Sequence, residues 1–322
     1  MAIGGTIEFT DVADYQAAVR KAKFSLVFNS QKDFQARLTR IELRHLSLFR
    51  GRENLPRVAY FSLPADRAFV AFPARHSPPQ IWDGAELQPD EMIFHGRGQA
   101  GHQRTRGPSQ WGIISLAQEY LASSVKALMG SDLEAPSDAR ILRPSCSDAA
   151  HLLSLHAKAC RLAETRPELI PHPEVARALE QELLYAFVNC LKSDKAQKYS
   201  ARRRRHLKII TKFEKLLAGH SARQLKIPEF CNLIGVSERT LRTCCAEFLG
   251  MGPNRYIRLR HLNMVRAALR CGGSKETVAE LARRFGFWEL GRFAGIYRTV
   301  YGETPSTTLR CASRRRNSAE IA

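Results

Sequence analysis

A chain of 322 residues with 50 Lys and Arg against 31 Asp and Glu carries a formal charge of +19, a field suited to a polyanion, and is too long for one hydrophobic core. No stretch reaches 18 consecutive apolar residues, and the start Met1-Ala2-Ile3-Gly4-Gly5 lacks a basic and then apolar leader, so a cytoplasmic protein with no membrane partner is expected. Eight cysteines form no CxxC pair and stand at no zinc-like spacing from histidine, which argues against a disulfide scaffold or structural metal and for reduced thiols, most of them in the core.

Residues 9 to 23, with Val12, Tyr15, Ala18 and Val19, read as a short helix. From there to Leu116 the pattern is one of short apolar or alternating runs: 25–28, 34–48, 57–63, 68–72, 80–82, 92–95 and 110–116. Phe34, Ala36 and Leu38 alternate with Gln35, Arg37 and Thr39, the period-two mark of a half-buried strand. Gly51, Pro64, Pro78-Pro79, Gly84 and Pro89-Asp90 supply the turns. About seven strands of this kind suggest a small sandwich or barrel.

His45, His76, His95 and His102 could be drawn together as a metal set, but their spacing fits no metal motif, and surface or hydrogen-bonded histidines are expected instead. The segment from Gly96 to Gly107 reads as a glycine-rich, cationic loop between two strands. Its Arg97, Arg104 and Arg106 are candidates for an acidic effector, against the simpler role of solubilising charge.

Residues 116–129 read as a helix, and Ser131 to Pro144 as a polar boundary. Two helices follow, at 148–163 and 174–191, and their apolar stripes fit either a dimer seam or a face packed within the chain. Ser193 to Ser200 reads as a linker.

The charge is concentrated beyond it. Residues 201–322 hold 25 Lys and Arg against 9 Asp and Glu, whereas residues 1–200 hold 25 against 22. Arg202 to Arg205 open a helix carrying Ile209, Ile210, Phe213 and Leu216. Four adjacent arginines sweep around a helix, so Arg203 and Arg205 are candidates for phosphates rather than base edges, with a disordered, solvated linker end as the other reading. Two helix-turn-helix patterns follow, at about 226–249 and 274–298, each with a glycine where the turn needs a positive φ, Gly235 and Gly286. The paired helix starts, Ser237 and Glu289, lie 52 residues apart. A helix from 254 to 269 joins the units, with Tyr256, Leu259, Leu262, Val265 and Leu269 inward and Arg258, Arg260, Arg266 and Arg270 outward, where they can meet phosphate or water.

The run Gly235-Val236-Ser237-Glu238-Arg239-Thr240-Leu241, then Leu249-Gly250, Pro253, Tyr256-Ile257 and Arg260, then Ala279, Ala282, Gly286-Phe287, Phe293, Tyr297, Tyr301-Gly302 and Pro305-Ser306 resembles the DNA-binding domain of AraC/XylS-type transcriptional regulators. The resemblance covers the last third of the chain. It implies promoter DNA and RNA polymerase as partners, a small-molecule or protein effector, no cofactor and no enzyme activity. Base contacts then fall to Arg239, Arg242, Thr243 and Glu238, and phosphate docking to Ser237, Arg292 and Arg298. Arginine can bridge O6 and N7 of guanine with two hydrogen bonds. In the second helix, family members carry polar side chains where this sequence has Leu290, Gly291, Ala294 and Gly295, so base reading is expected of the first helix and shape fit of the second. Trp288 is expected to pack over the turn.

The fold expected is α+β. Residues 1–135 form a β-rich, sandwich- or barrel-like regulatory domain and 145–200 a helical linker and candidate homodimerisation region. Residues 201–312 form an all-α tandem helix-turn-helix domain, followed by a disordered basic tail at 313–322. The rival readings are a metal-dependent β-barrel enzyme fused to a DNA-binding module and a nonspecific architectural DNA binder.

Overall fold

The structure, a computed structural model, describes residues 2–19, 23–74, 77–130, 132, 139–195, 200–219, 225–271 and 276–320. The chain divides into two compact units, Met1–Ser25 with Phe34–Ala201, and Leu26–Asp33 with Arg202–Ala322.

In chain order the first part comprises β1 (Ile3–Phe9), α1 (Val12–Ala18), β2 (Lys23–Phe28), β3 (Ala36–Glu42), β4 (Leu46–Glu53), β5 (Arg57–Ser62), β6 (Arg67–Pro73), β7 (Gln80–Trp82), β8 (Ala85–Leu87), β9 (Met92–His95), β10 (Ala100–Arg104), β11 (Ser109–Ala117), α2 (Gln118–Met129), β12 (Arg140–Leu142), α3 (Cys146–Thr165) and α4 (Pro173–Lys192). A seven-stranded antiparallel sheet runs β1-β3-β4-β11-β6-β9-β12, and a second runs β2-β5-β10-β7-β8. β6 and β9 of the larger sheet are buried on both faces. Ala68, Val70 and Phe72 of β6, with Met92 and Phe94 of β9, join a core with Leu121, Leu152, Leu183 and Phe187 of the helices. Their alternates Phe69, Ala71 and Ile93 join Phe61, Trp82 and Leu87 of the smaller sheet. Burial on both faces is why these strands read as unbroken apolar runs.

Several strands depart from the expected set: the run expected at 34–48 divides into β3 and β4, Gly51 lies inside β4 rather than at a turn, and β8 was not among those expected. β1 precedes the helix expected from residue 9, which is shortened to α1 with Asp11 as its N-cap. β10 occupies the middle of the expected cationic loop, so Arg97 and Arg104 stand at its opposite ends. A Cβ at Gly101 would lie 2.7 Å from Phe61 Cζ and from Asp83 Oδ1, so this glycine answers to packing rather than to a turn. β12 lies inside the expected boundary, paired with β9, while residues 133–138 of that boundary lie outside the described residues.

The stripes of α3 and α4 face the larger sheet, which gives them a partner within the chain. The start of the expected linker is tied to the same unit. Asp194 accepts from the Arg143 N–H at 2.7 Å and pairs with Arg140, while residues 196–199 lie outside the described residues. A buried polar network fastens the rim near α1: Glu53 accepts from Tyr15 Oη at 2.7 Å, Trp111 Nε1 at 3.0 Å and Arg57 Nε at 2.6 Å. The carboxylate is met by the guanidinium and two neutral donors, and the guanidinium by the carboxylate and the Gln103 carbonyl, the condition under which such a pair survives burial.

The helical unit comprises α5 (Ala201–Gly219), α6 (Ile227–Ile234), α7 (Glu238–Leu249), α8 (Pro253–Cys271), α9 (Val278–Arg284), α10 (Leu290–Tyr301) and α11 (Pro305–Glu320). α11 carries the backbone as helix through most of the tail expected to be disordered.

Candidate nucleic-acid interface

Each helix-turn-helix begins with a capped support helix. At α6 the Glu229 carboxylate accepts from the Lys226 N–H at 2.6 Å; at α9 Thr277 and Glu280 form a reciprocal capping box. Gly235 then turns the chain at φ 81° and Gly286 at φ 95°. A side chain would be strained at either position.

The two recognition helices start differently. Ser237 Oγ accepts from the Thr240 N–H at 3.2 Å, which caps α7, and Gly250 closes it in the left-handed conformation. At α10 the N-cap is Glu289, which makes no side-chain capping bond. α7 buries Leu241, Cys244, Cys245, Phe248 and Leu249 and leaves Arg239, Arg242 and Thr243 exposed. These three and Glu238 lie on the first two turns. Glu238 holds Arg242 through an Nη2–Oε2 bond of 3.0 Å, an i,i+4 pair that orients the guanidinium along the helix. Thr243 Oγ1 donates to the Arg239 carbonyl at 3.0 Å.

On α10, Phe293 and Tyr297 point inward, with Tyr297 Oη 2.9 Å from Thr308 Oγ1. Arg292 and Arg298 are exposed, and so are Gly291 and Gly295, where an added Cβ would touch nothing within 4 Å. Trp288 is not the packing residue expected of it. It is 69% exposed, beside Arg258 and Arg292 in a groove that includes His261 and Phe287.

α8 buries the five residues expected of it. Its arginines are partly engaged. Arg260 reaches Glu214 Oε2 at 3.7 Å, and Tyr256 Oη donates to the same carboxylate at 2.5 Å. Burial first, and the Glu214 charge second, push the Tyr256 hydroxyl well above its ordinary range. Arg266 pairs with Glu303 at 2.9 Å and lies 4.5 Å over the Tyr301 ring. Arg258 is exposed. At the other end, Arg205 is exposed, Arg203 half-buried, and His206 Nδ1 stands 2.7 Å from Glu247 Oε2. The paired cysteines are core residues. Burial pushes the Cys244 thiol up to about 11 and Cys245 higher still, which leaves both protonated and unreactive at neutral pH.

The histidines do not assemble. Among the described residues no group of three His, Cys, Asp or Glu is placed to hold a metal, and His76 lies outside them. His45 stacks on Tyr120 at 4.5 Å. His95 is buried beside Asp83 and the Gln99 side chain, with no well-formed hydrogen bond at either ring nitrogen.

Two capped support helices, two glycine turns and two exposed recognition faces joined by one buried strut define a tandem helix-turn-helix DNA-binding unit. A family model described as a helix-turn-helix domain matches residues 230–310. The chain is 35% identical over 95 residues to a probable thc operon regulatory protein of Rhodococcus erythropolis, which is 29% of either chain. It is 38% identical over 89 residues to XylDLEGF operon transcriptional activator 1 of Pseudomonas putida, which is 27% of either chain. The matched stretch therefore spans less than a third of these relatives. A probable AraC family transcriptional regulator from Rhodopseudomonas palustris is 30% identical, covers 32% of this chain and 96% of its own, and has a TM-score of 0.31. The C-terminal unit is a helix-turn-helix domain of the AraC/XylS type.

Proposed function

We propose that the protein is a sequence-specific transcriptional regulator, an activator responsive to an effector, in which α7 reads bases and α10 docks on the backbone. The observation that carries this reading is the exposure of Arg239, Arg242 and Thr243 on one capped helix whose opposite face is core. Arg239 and Arg242 suit guanine edges, Thr243 a thymine methyl or a base edge, and Glu238 holds Arg242 or accepts from cytosine. Ser237, Arg292, Arg298, Arg203 and Arg205 are assigned to phosphates, with the start of α7 adding its backbone N–H groups. RNA polymerase is the protein partner, and a homodimer would use the outward side of α4, where Tyr185 is 52% exposed. No helix among the described residues is long and apolar enough to cross a membrane, and a cytoplasmic setting fits a promoter-binding role.

Selection of genomic fragments with the full-length protein tests this at about 150 mM salt, where nonspecific phosphate binding is weakened. Recovery of a few sites sharing a motif, preferred over random DNA by about 10³ or more, is the expected result. Uniform recovery would favour an architectural DNA binder.

A further inference from the structure

A cavity between the two sheets of the first unit takes no part in DNA binding. The space open to water centres is about 40 Å³; a water radius added on every side gives room for roughly one six-membered ring. Phe61, Phe69, Trp82 and Trp111 supply aromatic wall, and His95 and Gln103 the polar groups.

The walls are built rather than incidental. Trp111 lies across its strand neighbour Gly51, where a Cβ would fall 2.2 Å from the indole, and Glu53 holds the indole N–H at 3.0 Å. His95 alternates with Phe94 on β9 and so points between the sheets beside Ile93's neighbours, with its ring edge-on to Phe61 at 5.1 Å. It is 1% exposed, and its neighbours Gln99 and Asp83 leave both ring nitrogens short of a well-formed hydrogen bond. A buried polar group so weakly satisfied gains from a further partner.

Charge narrows what that partner is. Of the lining residues only His95 is ionisable. Burial holds its imidazole below the usual range against the opposing pull of Asp83 and the Gln99 side chain, so at neutral pH the ring carries one N–H and one lone pair. The nearby Arg57 spends Nε and Nη2 on Glu53 and Nη1 on the Gln103 carbonyl. An anion entering here would lose its hydration and find no cation to replace it. Asp83, 4.0 Å from His95 Nε2, adds a negative charge behind the ring without lining the cavity. The arginines Arg97, Arg104 and Arg106 are not among the lining residues.

We propose that this cavity binds a compact, uncharged aromatic or alicyclic molecule whose single hydroxyl or carbonyl hydrogen-bonds His95. The assignment rests on the reading of the first unit as the regulatory half of the protein, and it names the class of effector.

Calorimetric titration of the full-length protein at pH 7.5 with p-cresol, toluene, 4-methylbenzoate and 4-methylbenzylamine tests it. Saturable p-cresol binding at least about tenfold tighter than either charged analogue is expected. His95→Phe should weaken p-cresol by about tenfold, the worth of one hydrogen bond, and leave toluene unchanged. Ala71→Leu should fill the cavity and abolish both; Ile113→Phe is the second filling variant should the first not fold. Binding of either charged analogue as tight as that of p-cresol overturns the uncharged class. Failure of both toluene and p-cresol overturns the site, and recovery of a shared DNA motif in the genomic selection would then leave the regulator reading standing. Saturable p-cresol binding by a protein that selects no DNA motif would do the reverse.

Discussion

Gly291→Ala with Gly295→Ala probes the division of labour between the recognition helices. Both glycines lie within α10, are exposed, and have open space where a Cβ would go. Neither has a positive φ. The substitution therefore adds no clash and no backbone strain, and only removes the entropic penalty of glycine in a helix, about 1 kcal/mol at each site. Two such changes sum to about 2 kcal/mol, or about a 30-fold shift in the local opening equilibrium. Amide hydrogen exchange by mass spectrometry reads this directly in full-length protein. Peptides from Leu290 to Tyr301 should exchange about 30-fold more slowly, while those from α7 stay unchanged. Affinity for the selected DNA should change less than about threefold, because on this reading the glycines touch no base. Unchanged exchange would refute the claim that α10 is weakened by its sequence. A tenfold loss of DNA affinity would refute the other half, since it would mean that the DNA backbone approaches α10 where only glycine fits.

Arg242→Ala should flatten sequence preference by about 1–3 kcal/mol, whereas Arg292→Ala should weaken cognate and random DNA alike and reduce the salt slope by about 1; equal effects on both DNAs from both variants would contradict the assignment. His156 is buried, donates its Nε2–H to the Phe49 carbonyl at 3.1 Å, and is held down to about 4 chiefly by burial. Its unfolded counterpart takes a proton below about 6.5 while the folded one does not, so stability falls as pH drops from about 6.5 to about 4, by about 3 kcal/mol in total. His156→Gln should remove that part of the slope in urea midpoints taken between pH 7 and 4.5. Gly51→Ala would set a Cβ 2.2 Å from the Trp111 ring and should cost about 1–3 kcal/mol or more in urea denaturation, with no change in α7 exchange; a neutral effect would mean that the indole moves freely.

The strands most legible in the sequence were those with local evidence. β7 and β9 match their expected bounds, and β6 and β11 come within two residues, because apolar runs between turn residues leave little choice. β10 was hidden by its glycines. Gly98 does take a positive φ of 61°, as a loop glycine should, but Gly101 is in the sheet because Phe61 and Asp83 leave no room for a side chain. Sequence alone does not distinguish these two uses of glycine. β12 was hidden for another reason, since its partner β9 is distant in the chain and its flanks are polar. His95 carried one usable signal, its place at the end of an apolar strand in step with Ile93 rather than with Met92 and Phe94. In the helical unit, caps and turn glycines marked the helix-turn-helix elements, but nothing local marked Arg260 and Arg266 as already engaged.

That engagement bears on how the domain meets DNA. Arg260 and Arg266 read as two of four outward arginines on α8, facing phosphate or water. In the structure each faces a carboxylate, Glu214 and Glu303, and each is half-buried beside a tyrosine, Tyr256 and Tyr301. Removing either arginine would leave a shielded carboxylate without its countercharge, a cost larger than that of losing a solvent-exposed contact. α8 is thus better understood as a strut than as a docking surface. It fixes α5 through Glu214 and the segment before α11 through Glu303, and the two helix-turn-helix elements inherit their spacing from it. Substitution of Arg266 by Met removes both the charge opposite Glu303 and the planar contact with Tyr301, so it should lower stability while leaving the salt slope of DNA binding unchanged. A phosphate-contacting residue would give the opposite pattern under the same exchange: unchanged stability and an altered slope.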